Sequence, residues 1–241
     1  MPSSLNPDLH EIQPGLTRAH WSQAVLGRLR HHVVLKFIGI SAFMWLFFQG
    51  YFHLLLNPAR PVTEMPLTAL DHWITFQPSA MVAHLSLWFY VGIPAGLMAS
   101  LRQLVVYGAW AAALCLTGLA CFYFFPTAVP APLLPVDVAQ HPAFAVLQGV
   151  DAAGNACPSL HVAGAVFSAF WIERLLRVLG TPARVRCVNW VWLGVIVYST
   201  LAIKQHVALD VAAGFVLAAL FVWPSMRWFA GALSDPVQTA R

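Results

Sequence analysis

Residues 187–224 read CVNWVWLGVIVYSTLAIKQHVALDVAAGFVLAALFVWP, two apolar runs interrupted only at Lys204-Gln205-His206. Each run approaches the roughly 20 mostly apolar residues that a membrane helix needs. The connection is too short for anything but a tight turn near one surface. Working outward, four more stretches have the same character, at 35–56, 80–100, 104–125 and 158–178. With 187–204 and 206–224 they make six expected spans. The composition agrees: 59% of the 241 residues are hydrophobic and 9% are charged, against about 25% charged in a soluble domain. A chain so poor in charge cannot cover a globular surface with polar groups, so its solvent is lipid. The expected fold is all-α, one integral-membrane bundle of six transmembrane helices.

An even number of spans puts both ends of the chain on one side. Of the 13 basic residues, eleven then fall there: Arg18, Arg28, Arg30, Lys36, Arg102, Arg174, Arg177, Arg184, Arg186, Arg227 and Arg241. Only Arg60 and Lys204 fall opposite. By the positive-inside rule both termini are expected to be cytoplasmic. The chain divides into a cytoplasmic N-terminal segment 1–34, a membrane catalytic domain 35–224 and a cytoplasmic tail 225–241. The expected location is a bacterial inner membrane, with loops 57–79 and 126–157 facing outward. Segment Trp21–Val33 suits either an interfacial helix or a solvated tail. No cleavable signal peptide is visible, since the first long apolar run starts near Leu35 and is long enough to span. The net charge of +4 is spread over the ends of apolar runs and does not point to nucleic acid. Prolines 58, 61, 66 and 78 in the first outer loop, and 126, 130, 132, 135 and 142 in the second, prevent long helix there. Trp73, Phe76 and Phe144 suit loops that lie on the membrane surface or cap the bundle. Cys115, Cys121, Cys157 and Cys187 have no metal-ligand spacing.

Ionisable groups within spans are costly, about 2.5–3.5 kcal/mol for Asp at mid-membrane on insertion scales. Asp210 nevertheless opens the last span, four residues after His206. Positions i and i+4 share a helix face, so the carboxylate can hold Nδ1–H of the imidazole and leave Nε2 basic. That arrangement serves a nucleophile or a general base. Alone it is more often the mark of a helix end, where the histidine faces water and the carboxylate caps. A second motif changes the balance: residues 157–163 read Cys-Pro-Ser-Leu-His-Val-Ala at the outer start of the fourth span. Pro158 suits the first turn, and the amides and positive dipole end of that helix form a ready anion site. Ser159 adds a hydroxyl and His161 lies close behind. Charge sorting alone puts both motifs on the outer face.

These residues resemble a known family. Pro158-Ser159-Leu160-His161, followed by Ser199 and then Lys204-Gln205-His206-Val207-Ala208-Leu209-Asp210, resembles the last two signatures of the type 2 phosphatidic acid phosphatase superfamily, over about residues 35–224. The resemblance implies metal-free phosphoryl transfer on a lipid phosphate, as a lipid phosphatase or a head-group phosphotransferase. It implies that His206 attacks phosphorus to form a phosphohistidine, that Asp210 orients His206, and that His161 protonates the leaving oxygen. Ser159 and backbone amides near Leu160 would bind phosphoryl oxygens. No cofactor and no metal are implied.

The pattern also departs from the family. Its first signature is Lys, six residues, then Arg-Pro, and the counterpart near Phe125–Pro132 contains no cation. The Arg expected after Ser199 is Thr200. Lys204 is the obvious replacement cation, Arg60 a second, and Asn155 can add hydrogen bonds. A phosphate monoester wants several cations and a phosphodiester fewer. The departures therefore tilt the reading toward a phosphodiester and resemble the inositol phosphorylceramide synthase and sphingomyelin synthase branch. His53 and His84, inside spans, read as packing residues, and Trp88 as lipid-facing or interfacial.

Three other functions compete. A non-catalytic lipid-binding or lipid-flipping protein would keep the scaffold without the cations. A transporter would need a polar track across the spans, and none is visible. A serine hydrolase on Ser159 lacks the Gly-x-Ser-x-Gly turn.

Overall fold

The computed structural model describes residues 14–130 and 154–233. Expectations that fall on 1–13, 131–153 and 234–241, including Phe144 and most of the proline-rich second loop, lie outside the described residues. The chain is mostly helical. Helix α1 is Pro14–Arg30 and α2 is Val33–Leu56, separated by His32 at a left-handed φ of 53°. Three short helices follow a 3₁₀ turn at Pro78–Ala80: α4 Met81–Leu85, α5 Leu87–Tyr90 and α6 Ile93–Leu97; an earlier short helix, α3, is Ala69–Trp73. Then come α7 Leu101–Phe124, α8 Leu160–Val178, α9 Ala183–Ala202 and α10 Ala208–Leu233.

Among the described residues, five segments are long and apolar enough to cross a membrane: Val33–Leu56, Pro78–Leu97, Leu101–Phe124, Ala183–Ala202 and Ala208–Trp228. The remaining expected span, 158–178, is helix α8. It carries Glu173, Arg174 and Arg177 and lies at the centre of the packing. Val162, Ala163, Ala165, Ala169, Trp171 and Leu175 are fully buried against α6, α7, α9 and α10, the mark of a helix surrounded on all sides. Glu173 is buried and ion-paired with Arg177 and Arg186, which satisfies a charge that lipid could not.

The second span departs from the single helix expected over 80–100. Ser86 Oγ donates to the Ala83 carbonyl at 2.6 Å, and Gly92 N bonds Phe89 O at 3.1 Å in the tighter i−3 pattern. Pro94 has no N–H to give. The result is a chain of short helical pieces that still crosses the bundle. The last helix also differs, continuing through Pro224 to Leu233. A further departure from all-α is a two-residue parallel pair, Thr63–Glu64 with Thr127–Ala128, which stitches the loop after α2 to the segment after α7.

The two ends of the bundle are chemically distinct. At one end Lys36 Nζ donates to Arg28 O at 2.7 Å, Gly96 O at 2.7 Å and Met98 O at 2.8 Å. All three of its protons are used, which permits its burial. At the other end Gln77 N bonds Ala202 O, Asn155 Nδ2 bonds Tyr51 O, and the turn between α9 and α10 lies under the first loop.

That turn meets the start of α8 at closest approach. Ser159 N donates to the Asp210 carbonyl at 3.0 Å. A Cβ on Gly214, one turn beyond Asp210, would lie 2.6 Å from Ser159 O. Only glycine lets α10 come this near. Gly214→Ala is expected to cost roughly 1–3 kcal/mol by forced separation, read as a lower thermal midpoint in detergent. Gly194→Ala on α9, where nothing lies within 4 Å, should leave the midpoint nearly unchanged.

Candidate functional site

The turn Ile203–Val207 is held by backbone bonds from Gln205 N and His206 N to Thr200 O, each 3.2 Å. His206 therefore precedes α10 rather than riding on it, and the i, i+4 geometry expected for the pair is set by this turn. Asp210 sits in the first turn of α10 and is fully buried. Its Oδ2 accepts Val207 N–H at 3.0 Å and lies 3.5 Å from His206 Nδ1. The second distance is beyond a usual hydrogen bond; catalytic contacts are often long until substrate tightens them.

Across the gap stands α8. Ser159 is its N-cap, with Oγ accepting Val162 N–H at 3.2 Å. Pro158 lies outside the helix, one residue before the cap, after a cis bond from Cys157, so the capping falls to the serine and not to a proline in the first turn. His161 is the second helical residue, and its Nδ1 lies 3.4 Å from His206 Nε2. Leu160 packs where α7 has Gly118, whose Cβ would come within 2.4 Å of it.

The other expected site residues are tied to the frame. Lys204, at a left-handed φ of 60°, is buried, and its ammonium donates to the carbonyls of Asp71, at 2.7 Å, and Ile74. Burial lowers its pKa, against the opposite influence of Asp71. It fastens the first loop to the turn. Asn155 is buried on Tyr51 O, and the Ser199 hydroxyl is turned back to Ile196 O at 2.6 Å. Arg60 is exposed in the first loop. Burial first, then the Asp210 charge, push the Cys157 thiol up to about 11. It stays protonated near neutrality and is no competing nucleophile.

Two features of this end carry weaker sequence signals. Asp71 Oδ1 accepts Ala208 N–H at 2.8 Å and its Oδ2 accepts from Thr68 N and Oγ1, both at 2.8 Å. It caps the start of α10 from the first loop. His84, from α4, is 1% exposed and stacks on His161 with ring centroids 4.6 Å apart. Trp88 sets its ring edgewise to His161 at 5.5 Å while remaining 36% exposed, so it borders the site as well as the outer surface of the bundle. His53 is exposed. No group of three or more metal-suited ligands occurs among the described residues.

The family model described as PAP2 superfamily matches residues 80–223. The chain belongs to the PAP2 superfamily. That assignment indicates a phosphatase-type enzyme acting by phosphoryl transfer on phosphate esters. No curated protein and no solved structure matches the chain. The PAP2 match runs from the short helices that bear His84 to the end of the span that bears Asp210, so it takes in every histidine of the cluster.

Proposed function

We propose that this PAP2 protein transfers the phosphoryl group of a membrane lipid through a phosphohistidine on His206, without a metal. The observation that carries the reading is the meeting of His206 Nε2 and His161 Nδ1 at 3.4 Å with Asp210 behind His206. Two imidazoles in contact, one of them backed by a buried carboxylate, suit a nucleophile and a proton donor. His206 Nε2 forms the bond to phosphorus as the bond to the leaving oxygen breaks, and His161 gives that oxygen its proton. Water or an alcohol then attacks phosphorus, His161 takes its proton, and His206 is released. At 3.4 Å the two nitrogens touch, so an entering phosphoryl group must part the rings. Ser159 Oγ takes the Val162 amide for itself, and the positive dipole end of α8 begins at the Ser159-Leu160 backbone. In this reading that backbone and the Ser159 hydroxyl bind the phosphoryl oxygens.

A lipid substrate is supported by a cavity of about 730 Å³ that begins at His161 and Leu160 and continues past Phe47, Trp88 and Phe167 to Leu35 and Leu101 near the other end of the bundle. Its size lies within the range of about 300–1,000 Å³ typical of ligand sites. An apolar space leading away from the histidines suits an acyl chain whose phosphate head stays at the rings. The use of Lys204 on loop carbonyls leaves few cations for phosphate. This favours a phosphodiester or head-group transfer, as in the sphingolipid synthase-like branch. In this reading α8 completes six spans, both ends are cytoplasmic, and the histidines face outward in a bacterial inner membrane.

Purified protein in detergent, given lipid phosphates and phosphodiesters of increasing chain length beside a soluble monoester, is expected to turn over the long-chain lipids at least tenfold faster by kcat/KM. Each methylene buried contributes about 0.8 kcal/mol, so two already exceed that factor. Equal rates on the soluble ester would remove the lipid assignment. Binding of a lipid phosphate with no product by mass spectrometry would favour a non-catalytic lipid carrier.

A further inference from the structure

His84 is a buried histidine for which packing alone leaves a debt. Neither Nδ1 nor Nε2 has a hydrogen-bond partner among the described residues, and the side chain is 1% exposed. A neutral imidazole carries one N–H donor and one acceptor. Buried polar groups are almost always paired, and leaving one unmet is costly. A phenylalanine would fill the same space without that cost.

The position of the ring says where a partner comes from. His84 stacks on His161 with an interplanar angle of 30° and centroids 4.6 Å apart; the His161 and His206 centroids are 5.4 Å apart. His161 touches both other rings in different ways: His84 lies against its face, and His206 Nε2 meets its Nδ1 edge. A group that enters at the Nδ1 edge of His161 arrives at the rim of the His84–His161 stack, within reach of the edge of both rings. The same site is short of cations, since Thr200 and the segment 125–130 supply none and Lys204 is tied to Asp71 and Ile74.

We propose that His84 is a third histidine of the site, a substrate-binding residue whose ring N–H donates to a non-bridging phosphoryl oxygen. This rests on the phosphoryl-transfer reading above for the identity of the ligand, an oxyanion of phosphorus. It assigns the debt on His84 to the unoccupied site: the donor is held dry and unpaired so that phosphate can use it. One such donor makes up for part of what the missing Lys and Arg would give.

The test uses orthovanadate as the probe, bound to the full-length protein in detergent and read by its effect on the thermal midpoint. His84→Phe keeps the stack and removes the donor. It is expected to weaken vanadate binding roughly 10–100-fold, the loss that accompanies one hydrogen bond to a charged group. His84→Gln, which restores an N–H, should recover most of that loss. Vanadate binding by His84→Phe equal to that of the wild type would overturn the proposal, as would equal losses in Phe and Gln variants. Absence of any vanadate binding by the wild type would overturn it too. Should His84→Phe not fold, ¹⁵N-histidine spectra of the wild type read the same contact. Vanadate must then shift three ring signals, the third being the one missing from His84→Gln, and movement of only two would count against His84. Turnover is measured separately: an inactive protein that still binds vanadate through His84 would sink the lipid phosphotransfer reading and leave this one standing.

Discussion

His206→Ala is expected to lower lipid turnover about a millionfold, the scale on which removal of a covalent nucleophile acts in a well-studied hydrolase. The expectation follows from how little else can take the role. The Cys157 thiol is held protonated, and the Ser159 hydroxyl is spent on capping α8. The fold should survive the change. The backbone of residue 206 is fixed by its own bond to Thr200 O, and the ring contributes no hydrogen bond within its own turn. Brief reaction of the wild type with a lipid labelled in its phosphate should leave label on the protein, stable in alkali and lost in acid as a phosphoramidate is. The label should be absent from His206→Ala and, if His161 acts as proton donor, formed more slowly in His161→Ala. Label that persists in folded His206→Ala would end the phosphohistidine mechanism. A variant that keeps more than a tenth of the turnover would do the same.

The parts of this architecture that were legible in the sequence are those with a local or periodic signal. The hairpin 187–224 could be read because two apolar runs and a three-residue break admit one arrangement. The His206–Asp210 and Ser159–His161 motifs could be read because their spacing is chemical. What was hidden depends on contacts far apart along the chain. His84 looks like any histidine within a span until α4 is laid against α8. Asp71 looks like the end of a loop capping box, through Thr68, until its other oxygen is found on Ala208, 137 residues away. Lys204 looked like a free cation because sequence shows a charge and not what the charge touches. Gly214 had one faint signal, a residue without a side chain one turn past Asp210 on the same face. Helix α8 has the length of a span, and Glu173, Arg174 and Arg177 lie towards one end of it, but its central place in the packing leaves no local signal. Its packing against five other helices lets it carry groups that a lipid-facing helix could not.

Asp210→Asn should produce the second-largest loss, roughly 10³–10⁴ in turnover, by analogy with the carboxylate that orients histidine in serine proteases. The substitution is close to isosteric and should preserve the frame. The backbone carbonyl still accepts from Ser159 N, and the amide oxygen can still accept Val207 N–H. What disappears is the charge 3.5 Å from His206 Nδ1. That charge selects the tautomer with the proton on Nδ1 and stabilises the positive ring formed as Nε2 bonds to phosphorus. An interaction that grows as charge develops belongs to the transition state, so kcat and kcat/KM should fall together while KM stays within a few-fold. Asp210→Ala adds a structural loss of about 0.5–2 kcal/mol because the Val207 amide loses its cap. The two variants thus separate the jobs of one side chain: Asn should retain the wild-type thermal midpoint and lose the chemistry, and Ala should lose both. Turnover in Asp210→Asn within tenfold of the wild type would mean that the buried carboxylate holds the turn alone, and the orientation of His206 would then have to come from Thr200 and the backbone of residues 203–207.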